Sequence, residues 1–360
     1  MSLPLDLLPF PSLAAIETRA VLKQAAEAHR YLAELKWISA TIPNEAILIN
    51  TLSLQEAKDS SAVENIITSQ DELFRAELFS DGPSAATKEV QNYAQALKLG
   101  FGRVRRTGLL RLDDILEIQV TLEKNRAGLR KLPGTVLKNQ QTGAVVFTPP
   151  QHPDDIVALM DNLLQYINDD ALCEADPLIK MALIHHQFES IHPFYDGNGR
   201  TGRIINLLYL VAKGLLDLPV LYLSRYIIHN KADYYRELQQ ARVTGQWEPW
   251  LLYMLKGVSA TARHTIALIH QIKALMAGQQ ERMRTELPKI YRKELLENLF
   301  KHPYTKIEFV MDDLDVTRLT ATKYLDLLTE HGFVHKAKIG RSNFYINHAL
   351  FDLFANGATP

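Results

Sequence analysis

Several features that define whole classes of protein are missing from this chain of 360 residues. Cys173 is its single cysteine, which excludes an intramolecular disulfide and a cysteine-rich zinc site and fits a reducing compartment best. Positive charge is not in excess, because 40 Lys and Arg stand against 41 Asp and Glu. The chain is therefore no general polyanion receptor, and any contact with nucleic acid would have to be local.

Long hydrophobic runs are also lacking. The longest strongly apolar stretch, around Ile204 to Ala212, is about half of a membrane span. No basic residue precedes Arg19 in the N-terminal segment, so a secretory leader is not indicated. We therefore expect a cytoplasmic protein with no membrane partner. With 47% hydrophobic residues, the chain can bury one large core or two to three modest ones.

Helical spacing of apolar residues dominates the sequence, and the alternation typical of strands is confined to two short places. We therefore expect a mainly α fold. The pattern predicts one long helix over 14–40, a short one over 45–54, and a third that Asp59, Ser60 and Ser61 cap. Further helices are predicted at 84–99, 111–126, 154–168, 176–191, 200–216, 231–243, 248–277 and 279–300.

The two exceptions have the pattern of β-hairpins. Residues 134–150 contain two β-prone runs around a Gln-Gln-Thr-Gly turn and end in a double proline. Residues 333–347 alternate around Gly340 and follow short helices near Ile307 and at 317–331. That order resembles a winged helix, and it indicates a separate small C-terminal domain.

The most informative break in the helical pattern is HPFYDGNGRTGR, residues 192–203. Glycines permit close backbone approach, successive N–H groups form an anion-binding concavity, and the following helix points its positive end into the same place. The dinucleotide fingerprint fails because no buried strand precedes the glycines, and the P-loop fails because Arg203 and Ile204 replace its Lys and hydroxyl residue. A simple glycine turn would not require the accompanying histidine, aspartate, asparagine and two arginines.

This segment is similar, at every specified position, to the Fic motif HPFxDGNGR followed by xGR. The resemblance implies an all-helical Fic core that transfers AMP from ATP to a hydroxyl side chain of a target protein. It also implies that the hairpin at 134–150 is a flap that binds the target segment by strand addition. We accordingly expect an N-terminal helical region at 1–100 with an inhibitory helix, a Fic core at 101–280 and a winged-helix domain at 281–360.

The resemblance implies a role for each polar residue of the motif. His192, mostly neutral at pH 7, would be the general base for a Ser, Thr or Tyr hydroxyl. Asp196 would hold a Mg²⁺ ion that bridges ATP phosphates. Arg200 would bind the β-phosphate and Arg203 the γ-phosphate, since each guanidinium presents paired donors. The expected ATP ligands are Gly197, Asn198, Gly199, Arg200, Thr201, Gly202, Arg203 and, for adenine, Tyr235.

An upstream segment resembles the inhibitory pattern of Fic proteins, which is Ser or Thr, three residues, Glu, then Gly or Asn. Here Ser60, Glu64 and Asn65 match it. The resemblance implies that Glu64 pairs with Arg203, so that ATP binds with its α-phosphorus out of line for attack. An ordinary capping box, in which Ser61 and Glu64 open a helix, is the alternative interpretation.

Residues 231–242 are similar to the helix that contributes a Tyr or Asn to the adenine pocket of Fic proteins. Tyr235 is slightly preferred to Tyr234 for that role, although adjacent tyrosines on a helix also pack simply at the edge of a core. The sequence departs from the family at Arg242, where some relatives place an asparagine.

Two other functions stay open. His186, Glu189 and His192 could converge on the metal ion of a hydrolase, although no H-E-x-x-H signature is present. A DNA-binding regulator, in which residues 317–345 contact DNA and the Fic site has a secondary or AMP-removing role, is the alternative to an adenylyltransferase. Residues 301–345 carry seven Lys and Arg and six acids, a net charge of +1, which is a weak footprint for DNA. Protein docking or a homodimer is then the other use of that domain.

Overall fold

The computed structural model describes residues 5–76, 84–138, 142–339 and 342–355. This part of the chain is mainly α-helical, as expected, with two small antiparallel sheets. The helices are α1 (Leu13–Ile16), α2 (Arg19–Ser39), α3 (Glu45–Val63), α4 (Gln70–Ala76), α5 (Ala85–Thr107), α6 (Leu112–Glu123), α7 (Pro153–Asn168), α8 (Pro177–Ile191), α9 (Asn198–Ala212), α10 (Leu223–His229), α11 (Lys231–Thr244), α12 (Glu248–Glu286), α13 (Lys293–Lys301), α14 (Ile307–Leu314), α15 (Arg318–Glu330) and α16 (His348–Ala355). The strands are β1 (Leu137–Lys138), β2 (Val145–Phe147), β3 (Tyr304–Thr305), β4 (His335–Ile339) and β5 (Ser342–Ile346).

Helix α8, which leads into the glycine-rich loop, lies in the centre of the core. Almost every one of its residues is buried, on all faces of the helix, which is the pattern of a core helix rather than an amphipathic surface helix. It packs against α7, α9 and α12. Trp250 of α12 is fully buried and donates its indole N–H to the carbonyl of Ala182 on α8 at 3.0 Å. The loop that follows α8 is therefore held by a rigid support.

Helix α3 differs from the sequence prediction. A helix over 45–54 and a new one capped by Asp59, Ser60 and Ser61 were expected, but one helix runs from Glu45 to Val63 and Glu64 is its C-cap. The capping-box interpretation is therefore wrong. The hydroxyl of Ser60 accepts a hydrogen bond from Arg203, so it does not compete for the backbone donors of its own helix.

Helix α12 is a second correction. Separate helices over 248–277 and 279–300 were expected, but α12 runs for 39 residues and ends at Glu286. Gly278 lies on its exposed side, and the buried residues Met276, Gln279 and Met283 continue the inward face past it. Pro288 lies between α12 and α13. The proposed boundary at 280/281 falls within α12, and the division into domains stays a prediction.

Both predicted hairpins are present. In the first, β1 pairs antiparallel with β2, and Leu137 stands opposite Phe147. In the second, β4 pairs with β5, which also pairs with β3, so that the strand order is β3-β5-β4. Parts of the two predicted turns, residues 139–141 and Gly340, lie outside the described residues. None of the described helices combines the length and apolar character needed to cross a membrane.

Two glycines of α5 give a test of this packing. A Cβ atom at Gly100 would lie 2.6 Å from Leu208 Cδ1 and 2.8 Å from Ile118 Cδ1, whereas one at Gly102 would meet nothing within 4 Å. Gly100→Ala should therefore destabilise the protein by about 1–3 kcal/mol through overpacking. Gly102→Ala should stabilise it by about 0.5–1 kcal/mol through helix propensity. Urea unfolding of both variants checks the prediction, and shifts of the same sign would contradict it.

Candidate active site

The glycine-rich loop is held closed by its own side chains. His192 follows α8 as its C-cap with φ of 47°, and Gly197 precedes α9 with φ of 77°. The side chain of Asn198 accepts a hydrogen bond from the N–H of Phe194 and donates one to its carbonyl, both at 2.8 Å. Phe194 is fully buried. The apolar ring and the amide therefore fix the loop, and α9 begins two residues earlier than the predicted start at Arg200.

The three glycines of the loop leave room for three carboxylates. A Cβ atom at Gly197 would collide with Glu123, one at Gly199 with Glu64, and one at Gly202 would lie 2.7 Å from Glu189. Gly197 also needs its left-handed backbone conformation. The glycines were predicted to let phosphate oxygens approach, and in this structure carboxylate oxygens approach the same backbone.

Arg203 is a deeply buried cation of the site. Its Nε donates to the hydroxyl of Ser60 at 2.8 Å, and its Nη2 donates to the Ser60 carbonyl at 3.0 Å and to Glu64 Oε1 at 2.8 Å. Burial opposes ionisation of Glu64, but the Arg203 guanidinium outweighs burial and holds the pKa of that carboxyl below its ordinary value. The structure thus brings Glu64 and Arg203 together, as the inhibitory pattern predicted, and adds Ser60 as a further partner of Arg203.

Arg200 is paired in the same way with two acids that the sequence analysis did not identify. Its Nη1 donates to Glu89 Oε2 at 2.9 Å and its Nη2 to Glu123 Oε1 at 2.8 Å. Arg200 is buried, and burial raises the pKa of Glu123. No motif marks these glutamates: Glu89 lies within α5 and Glu123 is the last residue of α6. Only the packing of those helices against α9 brings them to the loop.

His192 is held by another residue that the sequence analysis missed. Arg130 is 1% exposed, and it donates to the carbonyl of His192 at 2.7 Å and to that of Pro150, at the end of the flap, at 2.8 Å. Burial, together with the charges of Arg130 and Arg242, lowers the pKa of His192 to about 4. Its Nδ1 has no hydrogen-bond partner among the described residues. The imidazole is therefore neutral at physiological pH and able to accept a proton.

The two tyrosines of α11 are in different environments. Tyr234 is buried, and its hydroxyl lies 2.8 Å from Nε2 of His185. Tyr235 is 43% exposed. Burial raises the pKa of Tyr235, and the charge of Glu64 adds to the rise, so this hydroxyl is near the Arg203 pair. Tyr235 is thus the more accessible of the two tyrosines, and its adenine contact stays a prediction.

Asp196 and His186 bear on the two metal predictions. Asp196 is exposed, and one of its oxygens accepts from the N–H of Gly197 at 2.7 Å. A single exposed carboxylate fits Mg²⁺, which commonly binds one or two protein carboxylates together with substrate phosphates. The Nε2 of His186 instead lies 3.2 Å from the carbonyl of Leu238. Within the described residues, no three His, Cys, Asp or Glu side chains form a metal-binding group, which gives no support to the hydrolase interpretation.

Three family models match successive parts of the chain. The model described as Fic/DOC family N-terminal matches residues 22–102, and the Fic/DOC family model matches residues 109–210, which include the glycine-rich loop. The model described as protein adenylyltransferase SoFic-like, C-terminal domain, matches residues 275–350. The three matches follow one another along the chain without overlap.

Curated relatives and solved structures agree with these matches. Protein adenylyltransferase fic-1 of Caenorhabditis briggsae is 25% identical over 51% of this chain, and protein adenylyltransferase Fic of Drosophila erecta is 35% identical over 18% of it. The chain spans only 34% and 13% of those relatives' own lengths.

Among solved structures, a Fic family protein from Desulfovibrio desulfuricans G20 has a TM-score of 0.59 at 20% identity, covering 92% of this chain and 96% of its own. Fic-1 from C. elegans has a TM-score of 0.53 at 22% identity, covering 68% of this chain and 71% of its own. At these identities the likeness concerns the fold.

The environment of His192 makes a prediction for its titration. We expect the imidazole to take up a proton only near pH 4 in the ligand-free protein, because burial and two nearby guanidinium groups disfavour the imidazolium. NMR titration of protein labelled at histidine nitrogens measures this directly, with His192→Gln to assign the resonance. A midpoint at the ordinary histidine value of about 6.5 would contradict the described environment.

Proposed function

Since this chain belongs to the Fic family, we propose that it is a protein adenylyltransferase. In this proposal it transfers AMP from ATP to a Ser, Thr or Tyr hydroxyl of a target protein, and Glu64 inhibits the transfer. The observation that carries the proposal is the buried Arg203, bonded to Ser60 and Glu64 within an intact motif. Mg²⁺ on Asp196 completes the proposed site.

His192 is the proposed general base. A neutral imidazole accepts the proton of the target hydroxyl as its oxygen attacks the α-phosphorus of ATP. A new oxygen–phosphorus bond forms, the bond from the α-phosphorus to the bridging oxygen breaks, and pyrophosphate leaves. The bond from Arg130 to the His192 carbonyl fixes the backbone, which supports a constant distance between base and hydroxyl.

The triphosphate would lie at the beginning of α9. Backbone N–H groups there have no partners within the helix, and the helix dipole favours negative charge at this end. Arg200 and Arg203 supply two further charges, and both already bind carboxylates in the free protein. Phosphate oxygens that replace Glu64 and Glu123 would keep each guanidinium paired. Mg²⁺, when bound, would neutralise phosphate charge beside Asp196.

Inhibition follows from competition for one cation. Glu64 occupies the Nη2 group of Arg203, which the γ-phosphate would otherwise bind. ATP bound with a displaced γ-phosphate would present its α-phosphorus out of line with the attacking hydroxyl. The carboxylate stays ionised at neutral pH, because Arg203 lowers its pKa. Protonation of Glu64 therefore does not relieve the inhibition at neutral pH.

Glu64→Gly should activate the protein. The variant loses one charge-assisted hydrogen bond, from Arg203 to Glu64, that competes with ATP and contributes about 1.5–3 kcal/mol. Its loss corresponds to roughly 10- to 100-fold faster modification of the chain by AMP. Intact-mass measurement after incubation with ATP and Mg²⁺ detects the added AMP. An unchanged rate would contradict the inhibitory role of Glu64.

Two further variants separate the parts of this proposal. Glu64→Gln keeps the size of the side chain and removes only its charge, so it should activate the protein to a smaller extent than Glu64→Gly. His192→Ala in the Glu64→Gly protein should abolish AMP addition, since the base is lost. Continued addition without His192 would contradict its assignment as the base.

The C-terminal region gives little support to the alternative, a DNA-binding regulator. We propose that α13, α14, α15 and the β4–β5 hairpin form a winged helix, on the basis of their order. Several of its basic side chains are already paired with acids within the domain, namely Lys301 with Asp313, Arg318 with Glu308, and Lys336 with Asp326. In addition, Leu319 at the start of α15 is 82% exposed, which favours protein docking over phosphate contact.

Gel-shift titration with duplex DNA at several salt concentrations tests this alternative. We expect no specific retardation at physiological salt, because internal ion pairs leave few charges to neutralise phosphates. Retardation whose affinity falls steeply with salt would instead establish the DNA-binding function. The matched control is a variant with Lys323 and Lys338, two basic residues for which no ion pair is described, changed to Gln.

A further inference from the structure

The flap is attached to helix α11 by two side chains. Gln239 donates from Nε2 to the carbonyl of Val146 in strand β2 at 2.9 Å. The guanidinium of Arg242 lies 4.1 Å from the centre of the Phe147 ring in the same strand. Gln239 and Arg242 are three positions apart, so they lie on one face of α11. We call this pair the flap latch.

Arg242 contacts helix α8 with another part of its guanidinium. Its Nε donates to the hydroxyl of Ser190 at 3.0 Å, and its Nη1 donates to Gln239 Oε1 at 2.8 Å. Ser190 lies on α8, two residues before His192. One side chain therefore joins the flap, α11 and the helix that ends at the proposed base.

This combination of contacts requires an arginine. A guanidinium can stack its flat face on an aromatic ring while its edge donates several hydrogen bonds in fixed directions. Lysine offers a single charged point, and the asparagine that some Fic relatives place here has neither the length nor the charge. The departure from the family at Arg242, which the sequence left without a role, thus coincides with contacts that bridge two parts of the site.

Arg242 also acts on His192 through its charge. Charged groups from several elements act on the imidazole: Arg130 from the segment before the flap, Arg242 from α11 and Glu64 at the end of α3. Burial is the largest cause of the lowered pKa of His192, and the two arginines add to it while Glu64 opposes them. Burial lowers the pKa of Arg242 itself to about 10, so its charge remains at neutral pH.

We propose that Arg242 is a positioning residue that fastens the flap to α8, so that a target segment lying on the flap presents its hydroxyl at a fixed place beside His192. The inference rests on the proposed adenylyltransferase function. It predicts that the flap of this protein is held before any target arrives. Arg242 acts through Phe147 and Ser190 and needs no contact with ATP.

Hydrogen exchange of the full-length, ligand-free protein tests the fastening without any assay of activity. Arg242→Gln should increase exchange of the amides of residues 145–147 by at least about fivefold, since a cation–π contact and a hydrogen bond are lost. Phe147→Leu removes the stacked ring without changing α11 and should have a similar effect. Arg236→Gln is the matched control, because among the described residues Arg236 pairs only with Asp233 and Glu237 of its own helix. Unchanged exchange of these amides in both Arg242→Gln and Phe147→Leu would overturn the proposal.

Kinetics in the Glu64→Gly background test the positioning. Arg242→Gln should lower the maximal rate of AMP addition about tenfold or more, the order of effect expected when reacting groups are misplaced, with little change in KM for ATP. Faster exchange of the flap with an unchanged rate would overturn the positioning role. If the Glu64→Gly protein with Arg242 intact adds no AMP, the proposed function fails, and the exchange measurement still decides whether the latch exists.

Arg242→Lys separates charge from fastening. In this variant the NMR midpoint of His192 should stay near that of the native protein, because a positive charge remains. The amides of residues 145–147 should still exchange faster, because a lysine cannot stack on Phe147 and bond to Ser190 at once. In Arg242→Gln the His192 midpoint should rise as well. A lysine variant with native exchange and native rate would show that charge alone matters and would overturn the fastening role.

Discussion

The site depends on the need of a buried guanidinium for anionic partners. Arg203 is 2% exposed, and an unpaired charge at that depth would cost several kcal/mol of stability. Ser60 and Glu64 of α3 meet the requirement in the free protein. These bonds tie the end of α3 to α9 at the loop, while the rest of α3 packs mainly against α5 and α10.

The same need for anionic partners links the structure of the free protein to nucleotide binding. Arg200 and Arg203 are both paired with carboxylates at the beginning of α9, where phosphate would also be stabilised by free backbone N–H groups. Phosphate oxygens can take the place of carboxylate oxygens at little cost, because a guanidinium forms similar paired bonds with either. A site that holds acids when empty is therefore also suited to a triphosphate, and the regulation by Glu64 that we propose needs no additional element.

Rigid support and adjustable parts are separated around His192. The core helices α8, α9 and α12 fix the loop through buried side chains such as Phe194 and Trp250. The hydrogen bond from Arg130 to the carbonyl of His192 fixes that residue from the other side. The described part of the flap, by contrast, has two short strands and several exposed apolar residues. Its position must come from side chains outside it, which is the role we assign to the latch on α11.

Local pattern explains much of what was predicted correctly. The mainly helical class, both hairpins and the break at 192–203 follow from periodicity and from glycine chemistry, which are properties of neighbouring residues. The pairing of Glu64 with Arg203 was expected because a short motif resembles that of a known family. The same local rules failed at residues 59–61, where three good capping residues lie inside α3 and Ser60 binds a partner from α9 instead of beginning a helix.

The sequence by itself determined which residues form the loop, and its resemblance to the family motif predicted the base and the phosphate ligands. Tertiary structure alone decided the acids that pair with Arg200, the bonds of Arg130 to His192 and Pro150, and the contact of Arg242 with the flap. Each of these joins residues far apart in the chain and leaves no spacing that a motif could record. Their physical basis is the packing of separate helices, which brings a single charge to a partner that its own neighbours in sequence cannot supply.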